Sequence, residues 1–290
     1  PDERQAIRKA VAHKLSQPWL PNPGPQTAAY LSKADWLLYG GAAGGGKSDL
    51  LLGTALTQHH RTVYFRRAFT DLVGAEERLL EILKSNKGYR QDRMTYRGAG
   101  RVLEFGALEK PGAERSWQGR PHDLIAIDEG AQLTLDKVIY VSGWNRSTVH
   151  GQRKRIIIAS NPPIGGDGQW LIEFFAPWLD PMFPKPAKQG ELRWAIIVGQ
   201  DTRWVDGPGE TIIDSKVYTH ESRTFIQSLL DDNPYLRDTG YRAKLENLRE
   251  PLRSQLLYGD FMAGRVDHEW QVIPMAYIQL AQERWRRAPQ

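Results

Sequence analysis

An α/β fold, with a mostly parallel sheet flanked by helices and a smaller helical subdomain behind it, is predicted by three observations. Short apolar runs alternate with helical patterns over residues 36–198, the signature of helices packed on a parallel sheet. The runs Leu124-Ile125-Ala126-Ile127 and Ile156-Ile157-Ile158-Ala159 are apolar throughout, as strands buried on both faces require. A glycine-rich loop stands between the first run and the first helix, where a strand-to-helix turn is wanted.

The first strand is Trp36-Leu37-Leu38-Tyr39, and the first helix starts at Lys47 with Leu50, Leu51, Leu52 and Leu56 as its apolar positions. Thr62-Val63-Tyr64-Phe65 reads as a strand, and Asp71–Lys84 as a helix with Leu72, Leu79, Leu80 and Leu83 inward. Arg101–Phe105, the two central runs and Trp194–Val198 supply further strands. After about Gln200 the texture turns to breaks such as Asp206-Gly207-Pro208-Gly209, and Ser222–Leu230, Gly240–Leu248 and Leu252–Tyr258 are expected as helices.

Composition excludes several classes. The chain of 290 residues has 40% hydrophobic and 25% charged residues, enough for a core, and 0 Cys, which removes disulfides and thiolate metal sites. No apolar run approaches the roughly 20 residues that span a bilayer, and the charged start Pro1-Asp2-Glu3-Arg4 is not a signal peptide. A soluble, cytoplasmic protein is expected. The formal charge of +5 is mild, but cations cluster at Arg61, Arg66 and Arg67, at Arg90, Arg93, Arg97 and Arg101, at Arg153-Lys154-Arg155, and at Arg284, Arg286 and Arg287. Nucleic acid is contacted through such patches, although solvated strand ends give the same pattern.

The chemistry starts at Gly41-Ala42-Ala43-Gly44-Gly45-Gly46-Lys47-Ser48, the spacing of a phosphate-binding loop. Glycines let the backbone turn its N–H groups toward a phosphate, and the helix N-terminus adds its dipole there. Lys47 is expected on the β- and γ-phosphates of ATP and the Ser48 hydroxyl on Mg2+. Such a loop needs a carboxylate on a neighbouring strand, and Asp128-Glu129 follow an apolar run. Asp128 is expected to hold the Mg2+ hydration shell, and Glu129 to act as general base on the attacking water. Ser160-Asn161, closing the next run, are expected to sense the γ-phosphate or the lytic water. Gln26 precedes the first strand, and its amide suits the adenine edge, which would select ATP over GTP. A cation over the γ-phosphate is also needed; Arg120 is the leading candidate, with Arg66 and Arg67 as alternatives. His59-His60 reads as a helix end and Asp231-Asp232 as a helix-terminating turn, not as metal sites.

These motifs together resemble the ATPase domain of the large terminase subunit of tailed double-stranded DNA bacteriophages. Further stretches carry the resemblance: Tyr64-Phe65-Arg66-Arg67, Ser160-Asn161-Pro162-Pro163, Phe174-Phe175-Ala176-Pro177-Trp178, Thr224-Phe225-Ile226, Asp232-Asn233-Pro234-Tyr235 and Leu257-Tyr258-Gly259-Asp260-Phe261. The resemblance implies a P-loop NTPase of the additional-strand catalytic-glutamate type with a small lid. It implies an N-terminal segment at 1–34, an ATPase core at 35–203, and a lid with the start of a linker at 204–290. It also implies a homo-oligomeric ring docked on the portal protein of a procapsid in the host cytoplasm, moving double-stranded DNA with the small terminase subunit as partner. The family often has an arginine just before the glycine that is Gly119 here, whereas this chain has Gln118 before it and Arg120 after. The carboxylate cluster of the family's C-terminal nuclease is not present, so no DNA cleavage is expected. A helicase-like translocating ATPase and a non-hydrolysing nucleotide-gated module are the alternative readings.

Overall fold

A computed structural model describes residues 17–164, 168–199 and 201–263, with positions 273, 277, 281 and 284. Arg286 and Arg287 of the C-terminal basic cluster lie outside the described residues, as do residues 1–16 of the expected N-terminal segment. Helix α1 (Pro25–Leu31) precedes strand β1 (Trp36–Gly41). Next come α2 (Lys47–Gln58), β2 (Arg61–Arg66) and α3 (Phe69–Leu83). Strands β3 (Tyr89–Arg90), β4 (Thr95–Gly98) and β5 (Arg101–Ala107) follow, then β6 (Leu124–Ile127), α4 (Leu135–Ser142) and β7 (Arg155–Ser160). Short helices α5 (Trp170–Phe174) and α6 (Ala176–Leu179) lead to β8 (Arg193–Val198), β9 (Asp201–Val205), the hairpin β10 (Glu210–Ile213) and β11 (Lys216–Thr219), and β12 (Glu221–Ser228). Helices α7 (Tyr241–Glu246) and α8 (Leu252–Tyr258) follow.

Ten strands form one sheet in the order β3-β4-β5-β2-β6-β7-β1-β12-β8-β9. The six from β5 to β12 run parallel, and the outer pairs on each side are antiparallel. Strand β7 is inserted between the loop-bearing β1 and the acid-bearing β6, which is the additional-strand arrangement. Because β1, β2, β6, β7 and β12 all point the same way, their C-terminal residues gather on one edge. There Gly40 pairs with Ser160, Gly41 with Ser228, and Phe65 with Ile127. Such an edge is where open α/β sheets bind ligands.

Both sheet faces are covered. Leu50, Leu51 and Leu52 of α2 and Leu72 and Leu79 of α3 pack on one face against Tyr64, Leu124 and Ile157. Val138 and Val141 of α4, with Leu171 and Phe174 of α5, cover Phe65, Ile125, Ile127 and Ile158 on the other. Each such side chain contributes about 1.5–3 kcal/mol on full burial. This is why β6 and β7 read as unbroken apolar runs. Behind β12 a small separate cluster of Leu230, Leu245 and Leu257 packs against Ala43 of the glycine-rich loop.

Ser222–Leu230 is not the expected helix; most of it is β12, next to β1 in the sheet. The polar residues Arg223 and Thr224 broke the apolar run in the sequence, yet both are fully buried. The Arg223 guanidinium lies 3.5 Å from the Phe174 ring centroid and donates to the Phe174 carbonyl at 2.8 Å. Burial pushes its pKa down to about 9. The stretch after residue 200, expected as turns, holds β9, β10 and β11 as well, so the sheet draws strands from both sides of position 203.

One close approach fixes the start of the loop. Gly41 has φ +139°, and a Cβ there would lie 2.4 Å from the Ser228 carbonyl oxygen. Gly41→Ala is expected to cost about 1–3 kcal/mol through clash and backbone strain, read as a lower midpoint in chemical denaturation.

Candidate active site

The glycine-rich loop is held along its length, by its first N–H groups at the base and by its carbonyls nearer the tip. Ala42 N–H donates to Ser228 O at 2.9 Å and Ala43 N–H to Leu256 O at 2.8 Å. Asn233 Nδ2 holds Gly44 O at 2.7 Å, and Gln26 Nε2 holds Gly46 O at 2.9 Å. Within the described chain the N–H groups of Gly44, Gly45, Gly46 and Lys47 donate to no other group. They lead into the start of α2, and together make a ready anion cradle. Gly44 and Gly46 take φ +81° and +74°, which lets successive N–H groups turn inward.

The loop borders a cleft of about 1300 Å3, whose walls include Gln26, Gly44–Ser48, Arg66, Asp71, Glu129, Asn161, Asn233 and Tyr235. Lys47 is buried and donates to Ala42 O at 2.6 Å. Desolvation lowers its pKa to about 8, against the pull of Glu129 and Asp128.

Asp128 organises the floor. Its Oδ2 accepts from Ser48 Oγ at 2.9 Å, Tyr64 OH at 2.5 Å, Arg66 Nε at 2.8 Å and Arg66 Nη2 at 2.5 Å. Tyr64 is fully buried, and burial followed by the Asp128 charge raises its pKa well above normal, so it is a fixed donor. For Arg66, burial opposes the charge, but Asp128 more than offsets this and its pKa is raised.

Glu129 follows with φ +54°, a strained backbone for a residue with a side chain. The strain turns the chain straight from β6 into the Gly130–Gln132 turn and brings Glu129 to the cleft wall. Its pKa is raised, first by desolvation and then by the neighbouring Asp128.

Ser160 is buried, and its Oγ accepts from the Ala131 N–H at 3.0 Å and donates to Asn161 O at 2.7 Å. It therefore braces the Glu129 turn, while Asn161 lines the cleft. Two residues on, Pro163 O accepts from Gln255 Nε2 of α8 at 2.7 Å.

Two expected residues sit otherwise. Gln26 lies in the wall, but its amide is engaged: besides holding Gly46 O, its Oε1 accepts from Asn22 N–H at 2.6 Å. It clamps α1 to the loop. Arg120 lines neither this cleft nor the neighbouring cavity of about 430 Å3 that Arg67 borders. Arg120 is bonded to Glu104 and stacks 4.2 Å from the Trp117 centroid. Burial works against the Glu104 charge, yet His122 and Arg120 hold its pKa down at about 2. Of the three arginine candidates, Arg66 alone is brought to the cleft together with Lys47, Ser48 and Glu129.

Sequence reasoning overlooked Tyr64, Asn233 and Gln255. Tyr64 and Asn233 stood in stretches noted only for the resemblance and Gln255 in an expected helix, and only the register of β2 beside β6 and the folding of 229–259 over the loop give them roles.

The additional strand β7 between β1 and β6, with the acid pair beside the glycine-rich loop, is the arrangement of a P-loop fold. More narrowly, the fold is that of large terminase ATPase domains of tailed phages. The large terminase of a thermophilic bacteriophage, in complex with ATP-gamma-S, aligns at TM-score 0.51 and 15% identity, over 83% of this chain and 53% of that one. The large terminase ATPase domain of Thermus phage P74-26 aligns at TM-score 0.51 and 14% identity, over 84% of this chain and 95% of that domain. This chain thus spans about half the length of the first of these proteins. No protein-family model and no curated protein matches the chain significantly.

Proposed function

We propose that this chain is the ATP-hydrolysing motor domain of a large terminase, driving double-stranded viral DNA into a procapsid. The observation that carries the reading is Glu129 set in a strained turn directly after Asp128, the partner of Ser48, on the wall of the same cleft that Gly44–Lys47 line, loop residues whose N–H groups donate to no other group among the described residues.

The residues fit ATP with Mg2+. Ser48 Oγ and Asp128 Oδ2, 2.9 Å apart, are hard oxygen donors at the mouth of a phosphate cradle. Ser48 would hold the ion directly and Asp128 through water. When bound, Mg2+ neutralises charge building on the β- and γ-phosphate oxygens. The loop N–H groups and Lys47 hold the phosphates, and Lys47 exchanges its Ala42 carbonyl for phosphate oxygen. Glu129 takes the proton of the attacking water; its raised pKa makes it a stronger base than a solvated glutamate. Arg66, within its own chain, supplies the cation over the γ-phosphate. Ser160 and Asn161 report the state of the Glu129 turn, and the Pro163–Gln255 bond passes it to α8. Partners on this reading are double-stranded DNA, the portal protein, the small terminase subunit and further copies of this chain in a ring, assembled in the host cytoplasm. No described helix is long and apolar enough to cross a membrane.

In a packaging reaction with cognate procapsids, ATP is expected to render added genomic DNA resistant to nuclease. Equal protection with and without ATP would count against a motor.

A further inference from the structure

The formal charge of the whole chain is +5, and residues 84–101 alone carry that surplus: Lys84, Lys87, Arg90, Arg93, Arg97 and Arg101 stand against Asp92. The rest of the chain is balanced. From Tyr89 onward this segment builds the outer antiparallel edge of the sheet, and Arg90, Arg93 and Arg97 do not line the cleft, although Lys84 does.

Its two faces differ. Tyr89 and Tyr96 are paired across β3 and β4 and pack into the core on the α2–α3 side. Side chains alternate along a strand, so Arg90, opposite Thr95, and Arg97 share the other face. Arg97 is in register with Val102, and Val102 with Arg61 of β2. Arg97 and Arg61 therefore stand in one row across the sheet, two strand spacings or about 10 Å apart. The side chains of Arg90 and Arg93 are 61% and 73% exposed. Nearby acid is scarce: Asp92 is shared between Arg90 and Arg93, and buried Glu104 is shared by His122, Arg120 and, at 3.6 Å, Arg61. Charge on an edge strand also blocks edge-to-edge pairing, but either sign would serve, and that role does not call for the row to continue onto β2.

The geometry points to this basic hairpin face as the surface that grips the phosphate backbone of duplex DNA, an inference that rests on the motor reading above. Guanidinium forks match phosphate oxygens, and a single-signed row reads backbone rather than sequence. The placement suits a motor. Arg66, on Asp128, donates from Nη1 to Asp71 O in the first turn of α3, and the hairpin begins just past the other end of that helix, about 22 Å away by helix rise. Tyr89 OH donates to Glu76 of α3, tying the hairpin to the helix.

The test is binding of a short random-sequence duplex by fluorescence anisotropy over a range of salt, using the whole chain. A variant combining Arg90→Ala, Arg93→Ala and Arg97→Ala is expected to bind roughly tenfold or more weaker, with the salt slope reduced by about two to three from the loss of three phosphate contacts. A charge-matched control, Arg237→Ala, Arg242→Ala and Arg253→Ala, should bind as wild type. ATP turnover without DNA should be unchanged in the hairpin variant, whose substituted residues do not line the cleft, which also verifies folding. Equal affinity and slope for the two variants overturns the proposal, as does failure of wild type to bind duplex. Hairpin-dependent binding in a chain whose wild type and Glu129→Gln forms turn over ATP equally poorly supports the surface and sinks the motor reading instead.

Discussion

Glu129→Gln is expected to lower ATP turnover by about 10²–10⁴-fold, the range for loss of a positioned general base, while nucleotide affinity stays close to wild type. The loop, Lys47 and Ser48, which hold the phosphates, are untouched, so steady-state turnover and binding of a fluorescent ATP analogue should separate. Turnover by wild type should fall as pH drops through the raised Glu129 pKa, because only the ionised form accepts a proton, and this acid limb should sit above the normal glutamate range. Stability should move the other way. A carboxyl whose folded pKa is raised favours folding at low pH and loses that contribution as pH rises through the folded value. Glu129→Gln should therefore raise the melting temperature near neutral pH and leave it little changed near pH 4. Wild-type turnover in the variant, or equal melting gains at both pH values, would remove Glu129 from the role of a desolvated base.

Much of this site was legible because its parts are local in sequence. The loop from Gly41 to Ser48 is read by spacing, and β6 and β7 announce themselves as apolar runs that end in Asp128-Glu129 and Ser160-Asn161. Register across a parallel sheet is not local. That Tyr64 and Arg66 meet Asp128 follows from β2 lying beside β6, and a strand reading alone does not say which strands are neighbours. Arg120 attracted attention by standing near the acid run, but Glu104 on β5 captures it through a pairing invisible in one dimension. The buried strand β12 was misread for a physical reason: Arg223 is stabilised by the Phe174 ring and a carbonyl rather than by a carboxylate, so its burial left no charge pattern to recognise. Gln26 shows a subtler limit. Its amide lies in the cleft wall and holds the loop backbone, a partner with no side-chain signature.

The second large effect concerns Asp128, where structure and chemistry must be separated. Asp128→Ala is expected to abolish measurable ATP turnover and to destabilise the fold by about 3–5 kcal/mol, the cost of removing one partner from a buried pair. The stability loss arises because the Arg66 side chain, 21% exposed, would keep its charge with no carboxylate while the fully buried Tyr64 hydroxyl lost its acceptor. Tyr64→Phe removes one donor and leaves the Asp128–Arg66 and Asp128–Ser48 bonds, so a smaller cost of about 0.5–1.5 kcal/mol is expected, with turnover reduced but present. Arg66→Ala removes the cation from both Asp128 and the cleft. It should therefore lower turnover more than its effect on denaturation midpoint explains. If Tyr64→Phe and Arg66→Ala lowered turnover only in proportion to lost stability, Asp128 would be a structural anchor that happens to adjoin a phosphate loop. If turnover falls ahead of stability for Arg66 but not for Tyr64, the guanidinium acts on the nucleotide and the phenol only positions the carboxylate, which is the division of labour that the four bonds to Asp128 Oδ2 imply.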